Sequence, residues 1–126
     1  MSAVEECYRG EKVRVFRLDR GAIVDDLRVR ARKLIDDRSD VLEVRLFGSL
    51  ARGDATPGSD ADIIVVLGAS NEPFLERVAS FCAALTGTGI GCDVLPYTVA
   101  ELADLRQAGN SFLERAWAES VPLAVR

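Results

Sequence analysis

Residues 41 to 67 read VLEVRLFGSLARGDATPGSDADIIVVL, and their patterning decides the fold. From Val41 to Phe47, Leu42, Val44 and Leu46 alternate with Glu43, Arg45 and Phe47, the two-residue period of a strand. From Ala61 to Leu67 the chain is apolar on both alternating faces, which predicts a central strand covered from both sides. A Gly-rich turn joins the two.

On the N-terminal side, Ile23, Val24, Leu27, Ala31, Leu34 and Ile35 recur at helical spacing after Gly21, with charged residues between them, so an amphipathic helix precedes the first strand. Residues 13 to 18 (VRVFRL) alternate as an edge strand does. On the C-terminal side, Pro73 suits the first turn of a helix whose buried stripe is Phe74, Val78, Phe81, Cys82 and Leu85, ending near Thr86 or Gly87. Residues 92 to 97 (CDVLPY) predict a short strand stopped by Pro96. Thr98 with Glu101 reads as a capping box opening another helix, which Gly109 closes. A last helix begins around Asn110, with Phe112, Leu113, Ala116 and Trp117 on its core side, before an apolar tail at Val121 to Val125. Strands alternating with helices predict an α/β fold: a small mixed β-sheet of three or four strands with helices packed against it. One domain is expected over residues 1–126, with 1–20 as an N-terminal extension.

Composition bounds the chemistry. The 126 residues, 48% apolar and 29% charged, suit one globular domain with a true core. There is no histidine, which excludes Ser-His-Asp and Cys-His sites and His-ligated zinc. Cys7, Cys82 and Cys92 lack a C-x-x-C spacing and lie in apolar surroundings, so they read as small hydrophobes in a reduced, cytoplasmic protein. The longest wholly apolar run, Ile63 to Leu67, is far short of the roughly 20 residues that span a bilayer, so no membrane is expected. The net charge of −4, and the aspartates on either side of the basic run at residues 28 to 33 (Asp25, Asp26, Asp36 and Asp37), disfavour nucleic acid as a partner. Gly87, Gly89 and Gly91 lead from a helix into a strand, the reverse of a dinucleotide-binding fingerprint, and read as a flexible connection.

Carboxylates remain. Asp60 and Asp62, two apart at the mouth of a strand, place their side chains on one face roughly 6.8 Å apart at the backbone, a spacing that suits Mg²⁺ with a nucleotide. Gly48 and Ser49 begin a short helical turn where a phosphate can approach exposed backbone N–H groups and the Ser49 hydroxyl. Asp93, near the start of the 92–97 strand, stands beside Asp62 if the two strands are neighbours.

Gly48-Ser49, ten residues, then Asp60-x-Asp62, then Asp93 on a later strand resembles the signature of the minimal nucleotidyltransferases (MNT) of the DNA polymerase β-like superfamily. The resemblance covers roughly residues 22 to 100. It implies that Gly48 and Ser49 hold the nucleoside triphosphate, with Arg52 as a phosphate contact. It implies too that Asp60, Asp62 and Asp93 hold two Mg²⁺ ions, which Mn²⁺ can replace, and that Asp93 activates the acceptor hydroxyl. The activity implied is metal-dependent transfer of AMP (NMP) from ATP to a hydroxyl. The acceptor implied is a tyrosine of a HEPN-domain toxin, for which the chain would be the antitoxin. Residues 99 to 126 are too few for the helical acceptor-binding domain of larger relatives. The competing readings are a nucleotide-binding antitoxin or interaction module without turnover, and a small-molecule nucleotidyltransferase completed by dimerisation, the simplest homo-oligomer.

Overall fold

The two apolar stretches flanking the Gly-rich turn form neighbouring strands. The computed structural model describes residues 4–9, 13–85 and 90–126, with side chains from residue 19 onward. In chain order the elements are β1 (Val4–Arg9), β2 (Val13–Leu18), α1 (Arg20–Asp37), β3 (Val41–Phe47), α2 (Gly48–Arg52), β4 (Ala61–Leu67), α3 (Phe74–Leu85), β5 (Cys92–Thr98), α4 (Val99–Gln107), α5 (Ser111–Glu119) and β6 (Val121–Val125).

The main sheet has four strands in the order β5-β4-β3-β6. β4 runs parallel to β5, with α3 as the crossover, and β3 is antiparallel to both β4 and β6. β4 is therefore central, as its two-faced apolarity predicts. Ile63, Val65 and Leu67 enter one core with residues of α1 and α3, while Ile64 and Val66 enter a second with Leu102 of α4 and Leu113 and Ala116 of α5. The sheet thus lies between two helical layers, which is the α/β architecture expected.

Four details of the strands differ from the sequence expectation. The strand at residues 13–18 forms, but it pairs with β1 in a two-stranded antiparallel sheet separate from the main one. The apolar tail at Val121 to Val125 is itself a strand and takes the edge beside β3. Pro96 does not stop β5. The strand continues to Thr98 because it is an outer strand, where a residue without an N–H breaks no inter-strand bond on its free side. In β3, Val41 pairs with Leu67 and Glu43 with Val66, so Leu42 is an extra residue. This bulge sends Leu42 to the second core, apart from Val44 and Leu46.

The helices follow their patterns closely. All six predicted core residues of α1 are buried, and the Asp19 carboxylate caps the helix by accepting from the Ala22 N–H at 3.0 Å. The Thr98–Glu101 capping box closes with both of its bonds. In α5, Leu113 and Ala116 are buried, but Phe112 is 59% exposed, its ring edge-on to Phe47 at 6.2 Å between centroids. The predicted end of α3 at Thr86 or Gly87 falls outside the described residues, as do Gly87, Gly89 and the side chain of Cys7. Cys82 and Cys92 pack against the first core, and burial pushes the Cys92 thiol up to about 11, so it stays protonated.

The predicted stripe of α3 omits its most consequential residue. Phe81 and Leu85 are fully buried, Phe74, Val78 and Cys82 are half-buried, and Arg77 is 5% exposed. Its guanidinium donates to the carbonyls of Glu72 (3.0 Å) and Pro96 (2.8 Å) and to both carboxylate oxygens of Glu101 (2.7 and 2.9 Å). This fork ties α3 to the free edge of β5 and to the first turn of α4. Replacing Arg77 with alanine removes four hydrogen bonds, two to backbone carbonyls and two to the Glu101 carboxylate. Because the Glu101 side chain is 40% exposed, the expected loss is about 2 kcal/mol, less than for a fully buried pair. Urea unfolding measures it. The Arg77 hydrogen bonds pull the Glu101 carboxyl from 4.5 down to about 2. A carboxyl depressed in the folded state stabilises fully above its unfolded value, and the contribution is lost as pH falls from about 4.5 toward 2. Arg77→Ala should flatten that part of the acid unfolding curve.

Candidate active site

The site lies where β3 ends, β4 begins and β5 begins. The ladder that holds β3 to β4 pairs Phe47 with Asp62, so Gly48 follows directly beside the aspartate. The parallel ladder pairs Asp62 with Asp93. Adjacent strands thus set these two aspartates side by side, the placement expected of Asp93. Asp60 stands just before β4, where the Ala61 N–H donates to the Gly91 carbonyl at 2.8 Å.

Two glycines make room for the carboxylates. Gly48 has φ +76, and a Cβ there would overlap Asp62 Oδ2 and lie 3.0 Å from its Cγ. At Gly91, a Cβ would meet Asp60 Oδ1 at 2.6 Å. The nearest demand for glycine at position 48 is therefore the Asp62 carboxylate and the left-handed backbone, before any phosphate is considered.

Burial, then the charges of Asp93 and Asp60, hold the Asp62 carboxyl above its ordinary value, with Arg52 opposing them. Among the described residues, none of the three carboxylates has a hydrogen bond or an ion pair. Nor do any three acidic or cysteine side chains there lie close enough to form a ready metal cage. Asp60 rests against Gly91 and Asp62 against Gly48. The donor set nevertheless fits a hard divalent cation: oxygen ligands only, with no hydrogen bond or ion pair among the described residues, and one of them destabilised by burial and its neighbours' charge despite Arg52.

Beside Asp62 opens a cavity of about 310 Å³, bounded by Gly48, Ser49 and Arg52 on one side and by Phe112, Arg115 and Glu119 of α5 on the other. Gly48, Ser49, Arg52 and Asp62 are thus gathered as expected, while Asp60 and Asp93 do not line it. α2 opens without a side-chain cap from its own N-cap residue, Phe47. Arg52 is engaged already: Nε donates to Asp54 Oδ2 at 3.2 Å, and Nη1 to both oxygens of Glu119 at 3.1 and 3.2 Å. Glu119, Arg115 and Phe112 are cavity-lining residues that sequence reasoning missed as such. Phe112 was placed in the core, and Glu119 reaches the turn only because β6 is a strand.

Residues 29–122 match the family model described as the nucleotidyltransferase domain. No match is found among curated proteins. Among solved structures, a protein from Sulfolobus solfataricus assigned to the nucleotidyltransferases superposes with a TM-score of 0.61 at 19% identity, covering 85% of this chain and 84% of its own. A toxin–antitoxin with AMP-PNP gives 0.47 at 22% identity, covering 86% and 75%. A tri-AMPylated HEPN toxin of Shewanella oneidensis in complex with MNT antitoxin gives 0.45 at 18% identity, covering 79% and 73%. The Sulfolobus superposition establishes the shared fold, and no helix among the described residues is long and apolar enough to cross a membrane. Because the family match runs from within α1 into β6 and takes in the Gly48 turn and all three aspartates, this chain belongs to the nucleotidyltransferase domain family.

Proposed function

We propose that the protein transfers AMP from ATP to a hydroxyl of a partner protein, a tyrosine of a HEPN-domain toxin, and so acts as its antitoxin. The observation that carries the transfer chemistry is Asp62, flanked in register by Asp93 and packed against the Gly48 turn, with no cation of the protein bonded to it. In this reading the acceptor oxygen attacks the α-phosphorus, the bond to the bridging oxygen breaks, and pyrophosphate leaves. Ser49 and the turn it begins orient the triphosphate. Asp93 receives the acceptor proton, and Asp60, Asp62 and Asp93 are the ligands for divalent cations, Mg²⁺ or Mn²⁺. Such ions, when bound, supply the positive charge that acidifies the acceptor and offsets charge on the leaving group. Support for the protein acceptor is the resemblance of the Gly48-Ser49, Asp60-x-Asp62 and Asp93 pattern to the minimal nucleotidyltransferases.

One observation favours the second reading, a nucleotide-binding module without turnover: Arg52 is already neutralised by Asp54 and Glu119. Two measurements test the primary reading. Mg²⁺ with a non-hydrolysable ATP analogue at about 100 times its Kd should raise folding stability by about 2.7 kcal/mol, seen as a higher melting midpoint than with either alone. α-Labelled ATP, Mg²⁺ and a HEPN-domain protein should yield a labelled tyrosine. An unmoved midpoint removes the nucleotide site, and a shifted midpoint without label leaves the binding module.

A further inference from the structure

Glu119 is the last residue of α5 and enters β6, whose residue Val121 pairs with Leu46 of β3. Two residues beyond that pair on each antiparallel strand stand Glu119 and Gly48, and there Glu119 Oε1 accepts from the Gly48 N–H at 3.1 Å. The same carboxylate accepts twice from Arg52 Nη1. It therefore grips both ends of α2, a helix whose own N-cap residue offers no side-chain bond.

We infer that Glu119 is a positioning residue for nucleotidyl transfer: it holds the Gly48 turn in place beside Asp62 through the Gly48 N–H, with Arg52 as its counter-ion. The inference rests on the nucleotide reading of this cavity. It assigns Arg52 to Glu119 in place of phosphate.

Three observations argue that this contact serves the site. The junction of α5 and β6 is already secured next door, where Arg45 donates to Ser120 Oγ at 2.7 Å and to its carbonyl at 3.2 Å while stacking over Trp117 at 4.6 Å. Holding that junction does not require Glu119. Its carboxylate also stands at the C-terminal end of a helix, where the backbone dipole disfavours negative charge, and near Asp62, whose carboxyl it helps to push up. Among the described residues, a charge badly placed on both counts is held by the Gly48 N–H and the Arg52 guanidinium alone. Finally, Glu119 lines the cavity across from Ser49 and Asp62, so its grip acts on groups that face a bound nucleotide. The Gly48 backbone is the shared part: one carboxylate packs on its Cα and another fixes its N–H.

Calorimetric binding of Mg·ATP to the full chain tests this, with melting midpoints measured in parallel. Glu119→Ala, which removes both contacts, should weaken binding about tenfold, while Glu119→Gln, which still offers an oxygen to the Gly48 N–H, should lose about threefold. Arg52→Ala together with Glu119→Ala should bind no worse than Glu119→Ala alone, because both side chains act through one contact. A lowered midpoint with unchanged affinity in the folded protein would show a purely structural role and overturn the inference. Tighter binding in Glu119→Ala also overturns it, because the carboxylate would then be an obstacle to phosphate. If Glu119→Ala does not fold, Glu119→Asp, one methylene shorter, replaces it. Weaker binding then supports the inference, and wild-type affinity overturns it. Wild type that fails to bind Mg·ATP at all overturns the nucleotide reading itself, a result distinct from wild-type binding that the variants leave untouched.

Discussion

Gly48→Ala is expected to destabilise the protein by about 3 kcal/mol, combining left-handed backbone strain with overpacking. In the folded fraction it should weaken Mg·ATP binding on the order of a hundredfold, the scale of a misplaced reacting group. Both effects have one origin. The added methyl group enters the space of the Asp62 carboxylate, coming within 3.0 Å of Cγ and 3.2 Å of Cβ, at a φ of +76 that L side chains rarely adopt. The side chain of Asp62 must swing away or the turn must move, and either change spoils the register between the turn and the carboxylates. Gly109 provides the control, since it shares the positive φ at +70 but would place its Cβ in open space. Gly109→Ala should show backbone strain alone, about 1 kcal/mol, with nucleotide binding intact. Chemical denaturation and calorimetry separate the two terms. Equal behaviour of the two variants would mean that contact with Asp62 contributes nothing.

The same pair of residues shows why much of this site is legible in the sequence. Asp62 follows Asp60 into a strand whose apolar run could only be central, and Gly48 ends a strand that alternates. Both strands have the boundaries their patterns predict. Once β3 and β4 are neighbours, the turn and the carboxylate meet without further instruction. Asp93 needed one more step, the parallel pairing of β5 with β4, which its position near the start of a later strand already favours. What remained hidden depends on contacts between residues far apart in the chain. Val121 to Val125 is five residues long and interrupted by Pro122, so local pattern gives little reason to pair it, yet it completes the edge beside β3. With β6 unread, Glu119 had no path to a turn 71 residues earlier. Arg77 was hidden for a related reason. A charged residue on an apolar helix face reads as solvated unless its partner is known, and Glu101 lies 24 residues away. Phe112 erred in the other direction, since helical spacing assigns a face but not whether anything covers it.

The strongest effect on turnover is expected at Asp62. Asparagine there keeps the shape of the side chain and removes its charge, so the packing against Gly48 survives while the affinity for a divalent cation falls. Because the folded carboxyl already sits above its ordinary value through burial and the charges of Asp93 and Asp60, neutralising it should stabilise the protein without ligand or leave it unchanged. A variant that folds at least as well as wild type yet has lost transfer by on the order of a thousandfold is the signature of a charge retained for chemistry. The same variant separates enzyme from binding module. In the proposed reaction, wild type labels the acceptor protein and neutralises it at substoichiometric amounts, and Asp62→Asn binds that protein but does neither. If Asp62→Asn neutralises as well as wild type at substoichiometric amounts, catalysis is not the mechanism. If wild type and variant alike neutralise only at one to one, the protein works by covering its partner. The carboxylates would then hold a nucleotide that helps the surfaces fit, and their mutual repulsion would be the cost of that ligand alone.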